Sequence, residues 1–208
     1  YTSVIFTWLL IIAETYAFIV MLLGYFQVCW VLDRKPASLP KDKERWPSVD
    51  IFIPTYNEPL DVVKPTVYAA LTVDWPKEKL NVYILDDGSR KEFKDFACEV
   101  GAGYIEREEH KHAKAGNINH AMGITKGDFI AIFDCDHVPV KTFLQKTMGW
   151  FLKDEKIALV QTPHHFYSQD PFEKNLHLKE NVPNENSLFH DFIQKGNDTW
   201  NATMFCGS

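Results

Sequence analysis

Phe129-Ile130-Ala131-Ile132-Phe133-Asp134-Cys135-Asp136-His137 is a run of five apolar residues that passes without a break into spaced acidic side chains. Five residues are too few for a core helix, so the run reads as a buried strand that delivers carboxylates at its carboxyl end. The pattern recurs upstream. Asn81-Val82-Tyr83-Ile84-Leu85 ends in Asp86-Asp87-Gly88-Ser89, and the apolar run from Val49 to Pro54 ends in Thr55-Tyr56-Asn57-Glu58. Between and after these runs lie segments with helical apolar spacing: Asp61 to Val73, Lys91 to Val100, Ala115 to Thr125 and Lys141 to Leu152. Gly103 to Glu106 makes a weak further strand, and Ile157 to Gln161 a fifth, running into Thr162-Pro163-His164-His165-Phe166. Strands and helices alternating at this spacing predict an α/β domain with a mostly parallel central sheet that binds its ligand at the carboxyl ends of the strands. Residues 168–200 lose the regularity and are expected to form helices and loops roofing the sheet.

The rest of the chain sets the context. It has 208 residues, 46% hydrophobic and 24% charged, with a formal net charge of -6, which excludes a disordered tail and a basic nucleic-acid binder. Tyr1 at one end and Ser208 at the other mark it as an expected fragment of a longer protein. From Val4 to Leu32 the strongly polar side chains are Glu14 and Gln27, enough apolar length to cross a bilayer as a helix. Residues 1–32 are therefore read as a transmembrane helix, 33–48 as a linker with Pro36, Pro40 and Pro47, and 49–208 as the folded domain. Arg34, Lys35, Lys41, Lys43 and Arg45 follow the apolar run, while residues 1–13 carry no charge, which places the domain on the cytoplasmic side. Glu14 should then face another helix or a polar cavity. Cys29, Cys98, Cys135 and Cys206 form no C-x-x-C pair and are expected as thiols. The two glycosylation patterns at Asn197 and Asn201 are taken as chance matches on that side of the membrane.

The chemistry is argued from placement. With 15 Asp in the chain, about one D-x-D arises by chance, so Asp134 and Asp136 gain weight only from following an apolar strand, as do Asp86 and Asp87. Carboxylates converging on one sheet edge repel unless a cation lies between them, and hard oxygen ligands call for Mg²⁺ or Mn²⁺, with a nucleotide diphosphate completing the shell. In an extended chain Asp134 and Asp136 point the same way and Cys135 turns to the core. The competing reading is that these acids cap the following helices, with Asp87 the best candidate. His110-Lys111-His112-Ala113-Lys114-Ala115-Gly116-Asn117 supplies positive charge just before a helix, suited to a loop closing on phosphate or base, or to a solvated helix start. Five histidines, at positions 110, 112, 137, 164 and 165, show no i, i+4 pair, which argues against zinc.

The motifs Pro54-Thr55-Tyr56-Asn57-Glu58, Leu85-Asp86-Asp87-Gly88, His112-Ala113-Lys114-Ala115-Gly116-Asn117, Phe133-Asp134-Cys135-Asp136-His137, Gln161-Thr162-Pro163-His164-His165-Phe166 and Phe205-Cys206-Gly207-Ser208 resemble those of family 2 glycosyltransferases, and within that family the catalytic subunits of bacterial cellulose synthases. The resemblance covers almost the whole chain. It implies a GT-A fold, Rossmann-like, and a processive inverting transfer of glucose from UDP-glucose to a β-1,4-glucan acceptor. Asp87, Asp134, Asp136 and His137 are the implied catalytic residues. Thr55, Tyr56, Glu58, Asp86, Asp87, Lys114 and Asp134 would bind the UDP-sugar, and Asp134 and Asp136 the metal, Mg²⁺ or Mn²⁺. His164, His165, Phe205, Cys206 and Gly207 would line the acceptor side. The resemblance also implies an inner-membrane protein with a periplasmic partner subunit and regulation by cyclic di-GMP through a domain outside this chain. The family's base, in a Thr-Glu-Asp motif, and its acceptor-binding Gln-x-x-Arg-Trp motif do not occur in these 208 residues, so the chain is expected to bind donor without completing turnover. Ser89 stands where relatives often carry a second Gly. Two readings compete: another synthase of the family (hyaluronan, chitin or another β-glucan), and a membrane-tethered nucleotide-binding module without activity.

Overall fold

The computed structural model describes residues 2–30, 32–165, 174–175 and 188–204, and these form two compact units. One comprises the described residues up to Lys35 together with those from Gln161 onward, the other Pro36–Val160.

The larger unit is built on β1 (Val49–Thr55), which is buried at every position because it lies inside the sheet and is covered on both faces. Its neighbours are β2 (Leu80–Asp86) on one side and β4 (Phe129–Ile132) on the other, and β3 (Gly103–Ile105) forms the edge beyond β2. All pairings are parallel, in the order β3-β2-β1-β4. Parallel strands require crossover helices. These are α2 (Leu60–Leu71), α3 (Lys91–Val100) and α4 (Ala113–Ile124), with α5 (Phe143–Lys153) after β4.

The period of two along β1 sorts its side chains. Val49, Ile51 and Ile53 join one core cluster with Val63 and Val67 of α2, Phe93 and Phe96 of α3, and Leu144 and Met148 of α5. Phe52 joins a second with Leu85, Ile105 and Ala121 of α4. The sheet is thus the middle layer of three. Register then fixes where the strands end. Thr55 lies opposite Asp86, Phe52 opposite Ile132, and the ladder is extended by Asp87 N–H to Thr55 O at 2.9 Å and Phe133 N–H to Phe52 O at 3.0 Å. The three acid-bearing segments therefore emerge side by side at one edge.

One expectation needs correction. The run Ile157 to Gln161 is not a strand: it makes no ladder pairing among the described residues, and Leu159 is exposed. Apolar periodicity reports burial, whereas a strand needs a backbone partner that the local sequence does not encode. The linker before β1 packs on the larger unit through Trp46, which is buried against Trp75 at 4.5 Å and donates its indole N–H to Pro40 O at 2.8 Å.

In the smaller unit α1 (Thr2–Val28) is apolar and long enough to cross a membrane, with none of its span buried in the protein. Its carboxyl end is joined by a π-helical turn (Leu188–Ile193) and α6 (Gln194–Thr199). A Cβ at Gly196 would meet Gln27 O at 2.8 Å, so glycine permits this close approach. Gln27 donates to Asn197, Thr199 Oγ1 donates to Trp30 O at 2.7 Å, Arg34 pairs with Asp198, and Trp200 stacks on Phe26 at 5.4 Å. The polar Gln27 of the apolar run is thereby satisfied. Asn197, the acceptor of one glycosylation pattern, is buried and engaged in packing.

Candidate functional site

A cavity of about 560 Å³ opens where β1, β2 and β4 end, within the size range of small-molecule sites. Thr55, Tyr56, Glu58, Asp87, Lys114, Asp134 and Asp136 line it, together with His110, Ala113 and Asn117. Seven residues drawn from four separate motifs thus converge on one space.

At the end of β1, Glu58 folds back to accept from Thr55 Oγ1 at 2.9 Å and Tyr56 N–H at 2.8 Å. Burial pushes its carboxyl up, but hydrogen bonds from the Tyr56, Glu58 and Asn57 backbone and from Thr55 outweigh it and hold the group below its ordinary value. A depressed carboxylate stabilises the turn above its unfolded pKa of about 4.3 and loses that contribution as pH falls through the folded value. Glu58 therefore shapes the rim as an anion at neutral pH, with Tyr56 exposed beside it.

At the end of β2 the two acids differ in role. Asp86 is fully buried: Oδ1 accepts from Gly88 N–H at 3.0 Å and from Arg90 Nε and Nη2 at 3.1 and 2.8 Å, Oδ2 from Arg90 N–H at 2.7 Å and Tyr104 OH at 3.0 Å. Burial, then the Asp86 charge, raises the Tyr104 phenol well above its ordinary value, keeping it a donor. Asp86 is not among the residues that line the cavity, and its five hydrogen bonds organise the loop beside it. Asp87 does face the cavity, and it is not a helix cap: Arg107 grips it with Nε to Oδ1 at 2.5 Å and Nη2 to Oδ2 at 2.7 Å.

At the end of β4, the expected extended geometry gives way to a turn closed by His137 N–H to Asp134 O at 2.9 Å. The consequence is nevertheless the expected one. Cys135 is buried in the core, its carbonyl held by Thr66 Oγ1 at 2.8 Å, while both acids reach the cavity. Lys114 of α4 pairs with Asp134, and His137 Nδ1 and Nε2 lie 3.9 and 3.8 Å from Asp134 and Asp136. Burial, then the Glu58, Asp136 and Asp134 charges, pushes the Cys135 thiol up to about 11. At pH 8 it is therefore a neutral thiol: iodoacetamide should label exposed Cys98 in the native protein and Cys135 only after unfolding, as read by peptide mass spectrometry. Native labelling of Cys135 at the rate of Cys98 would contradict this packing.

On α4, Asn117 donates to Leu85 O at 3.0 Å, and its buried Oδ1 has no hydrogen-bond partner among the described residues. No group of three or more His, Cys, Asp or Glu that could hold a metal occurs among the described residues. Of the expected acceptor-side residues, His164 and His165 belong to the smaller unit, where the His164 ring lies tilted at 42° to that of His190, with centroids 5.3 Å apart. Phe205, Cys206 and Gly207 lie outside the described residues, as do Phe166 and Ser208. Arg107 was not foreseen from the sequence, where it stands as a lone cation in Glu106-Arg107-Glu108-Glu109. The usable signal was indirect: a carboxylate predicted to be buried demands a partner.

The family model for glycosyl transferase family 2 matches residues 50–208. A cellulose synthase catalytic subunit [UDP-forming] of Xanthomonas axonopodis pv. citri is 60% identical over 196 residues, which is 94% of this chain and 27% of that protein. Cellulose synthase 2 of Novacetimonas hansenii is 58% identical over 200 residues, 96% of this chain and 12% of that one. The chain thus spans roughly a quarter and an eighth of the lengths of these curated relatives. Among solved structures, a mannosyltransferase from Pyrobaculum calidifontis in complex with GDP-Man and Mn²⁺ matches with a TM-score of 0.53 and 26% identity, over 67% of this chain and 42% of that one.

Proposed function

Since its match to the family model runs over residues 50–208, the chain belongs to glycosyltransferase family 2, and we propose that it is the donor-binding part of a membrane-anchored cellulose synthase catalytic subunit. The observation that carries this is the convergence of Thr55, Tyr56, Asp87, Lys114, Asp134 and Asp136 on one cavity at the sheet's carboxyl edge. The identity of 55–60% to bacterial cellulose synthases over nearly the whole chain supports the choice of substrate within the family.

In this reading UDP-glucose enters with its uridine toward Thr55, Tyr56 and Asp87 and its diphosphate toward Lys114 and Asp134. An ionised Asp87 offers only acceptors, which suits the imide N–H of uracil or ribose hydroxyls. The Lys114 ammonium, anchored by Asp134, places positive charge where the leaving UDP gathers negative charge. His137, against both acids, orients them and borders the donor sugar. Burial of Cys135 makes the D-x-D turn rigid, so both carboxylates hold their aim.

The donor set fits a hard divalent cation. Two carboxylates on one turn supply oxygen only, and the partial exposure of Asp134 and greater exposure of Asp136 leave room for water and phosphate to complete the shell, as Mg²⁺ prefers. Asp134 and Asp136 would hold the ion, which when bound neutralises charge on the leaving diphosphate. The Mn²⁺ and GDP-Man in the mannosyltransferase support this assignment by likeness of fold. With two protein ligands only, metal affinity should depend on nucleotide. Titrating Mn²⁺ by electron paramagnetic resonance is expected to show binding at least ~10-fold tighter with UDP than without, a difference of about 1.4 kcal/mol. Equal affinity in both would mean a protein-only metal site and refute the shared shell.

The transferase step follows from the family: the acceptor hydroxyl attacks the anomeric carbon as UDP leaves, with inversion. The aromatic cluster of Phe26, Trp30 and Trp200 at the end of α1 suits a membrane interface, and Arg34, Lys35, Lys41, Lys43 and Arg45 beyond it support a cytoplasmic placement of the domain, where UDP-glucose is made available. The substrate is tested by incorporation of labelled sugar by the full-length protein in vesicles, UDP-glucose against UDP-N-acetylglucosamine. Preference for the amino sugar would move the protein to another synthase of the family.

A further inference from the structure

We propose that Arg107 is a positioning residue that sets nucleobase choice and delivers Lys114, acting through one guanidinium that grips both Asp87 and the turn opening α4. This rests on the donor reading given above and extends it to a residue outside the four cavity motifs.

The guanidinium is nearly buried and uses both sides of its fork. Toward β2 it binds Asp87 through two parallel hydrogen bonds. Toward α4, Nη1 donates to Lys111 O at 2.8 Å and Nη2 to Ala113 O at 2.9 Å. That turn needs holding. His112 and Ala113 stand at φ +63 and +42, left-handed values that are uncommon for L residues other than Asn, Asp and His and so are strained at Ala113, and no side chain caps the helix start. The carbonyls exposed by this backbone are the ones Arg107 satisfies. Immediately after it comes Lys114, and one turn on Asn117, both facing the cavity. The sequence protects the arrangement at Gly116, where a Cβ would run into Lys111 O and the Arg107 guanidinium.

The chemical consequence concerns Asp87. A carboxylate has about four lone-pair sites, and the fork occupies one on each oxygen in a fixed plane, leaving the others directed by that plane. An acceptor held in this way discriminates uracil, which presents a ring N–H, from cytosine, which presents a bare ring nitrogen at the same position. A lysine would keep the charge but not the plane or the reach to both carbonyls. His110, 3.8 Å from Asp87 on the exposed side of the loop, cannot replace the fork.

The test compares UDP and CDP, each with Mg²⁺, for binding to the full-length protein by calorimetry. Wild type is expected to favour UDP. Arg107→Lys is expected to weaken CDP through the displaced Lys114 at the shared diphosphate and UDP about tenfold more, so that the UDP/CDP ratio falls about tenfold. Gly116→Ala, which keeps every charge but displaces the turn, is expected to move the ratio the same way, and it decides the matter if Arg107→Lys does not fold. A ratio unchanged in folded Arg107→Lys, or equal weakening of both nucleotides, overturns the proposal and leaves the donor site standing. A wild type that binds both equally overturns this inference alone, whereas one that binds neither nucleotide defeats the donor reading itself and this inference with it.

Discussion

Asp134→Asn should lower glucose transfer by at least ~10³-fold, the equivalent of about 4 kcal/mol of transition-state stabilisation. The substitution keeps size and hydrogen-bonding shape, so what it removes is charge, and at this position the charge serves two partners. Asp134 pairs with Lys114 and shares the D-x-D turn with Asp136 on the same cavity. As an amide it would hold a divalent ion weakly and leave the ammonium of Lys114 opposed to no anion at that position. The loss should therefore appear in both metal-dependent UDP binding and turnover. Asp136→Asn, at the more exposed carboxylate with His137 as its neighbour, should cost less but in the same direction. Metal-dependent UDP binding that survives Asp134→Asn unchanged would favour a nucleotide-binding module without transferase chemistry.

Asp86→Ala should act on stability first, by about 3 kcal/mol, or a fall in Tm of roughly 6–12 °C for a chain of this size. Five hydrogen bonds end on this fully buried carboxylate, and four come from the backbone and side chain of the loop it closes. Removing it strands the Arg90 guanidinium, which keeps its bonds to Glu58 O at 2.5 Å and Thr55 Oγ1 at 3.0 Å and its place over the Phe93 ring at 3.6 Å. A cation left half-satisfied in that position is the main cost. Thermal unfolding of the solubilised protein reads the effect. A Tm within 2 °C of wild type, with donor binding lost, would return Asp86 to direct donor contact.

Strand termini and the acids beyond them were legible in the sequence because apolar runs of five or six residues end abruptly at Thr55, Asp86 and Asp134, and the parallel order then forces those ends together. Helix positions were legible to within a few residues for the same reason, as α3 at Lys91–Val100 shows. The division of labour between Asp86 and Asp87 was not legible. Adjacent residues on a strand face opposite ways, yet which of two neighbouring carboxylates is saturated depends on Arg90 and Tyr104 for one and Arg107 for the other, partners up to 20 residues away. Arg107 itself sits among glutamates in a run that reads as solvated surface. Likewise the apolar run at 157–160 gave no sign that it lacks a strand partner, because pairing is a property of the sheet and not of the segment.

The central claim is that this cavity presents UDP-glucose for glucan synthesis. The direct measurement supplies the full-length protein, in membrane vesicles with Mg²⁺ and cyclic di-GMP, with labelled UDP-glucose, and then treats the product with a β-1,4-glucanase. Label entering a polymer that this enzyme degrades, and absent with Asp134→Asn, is the predicted result. A glucanase-resistant product, or no incorporation in vesicles whose UDP binding is intact, would contradict it.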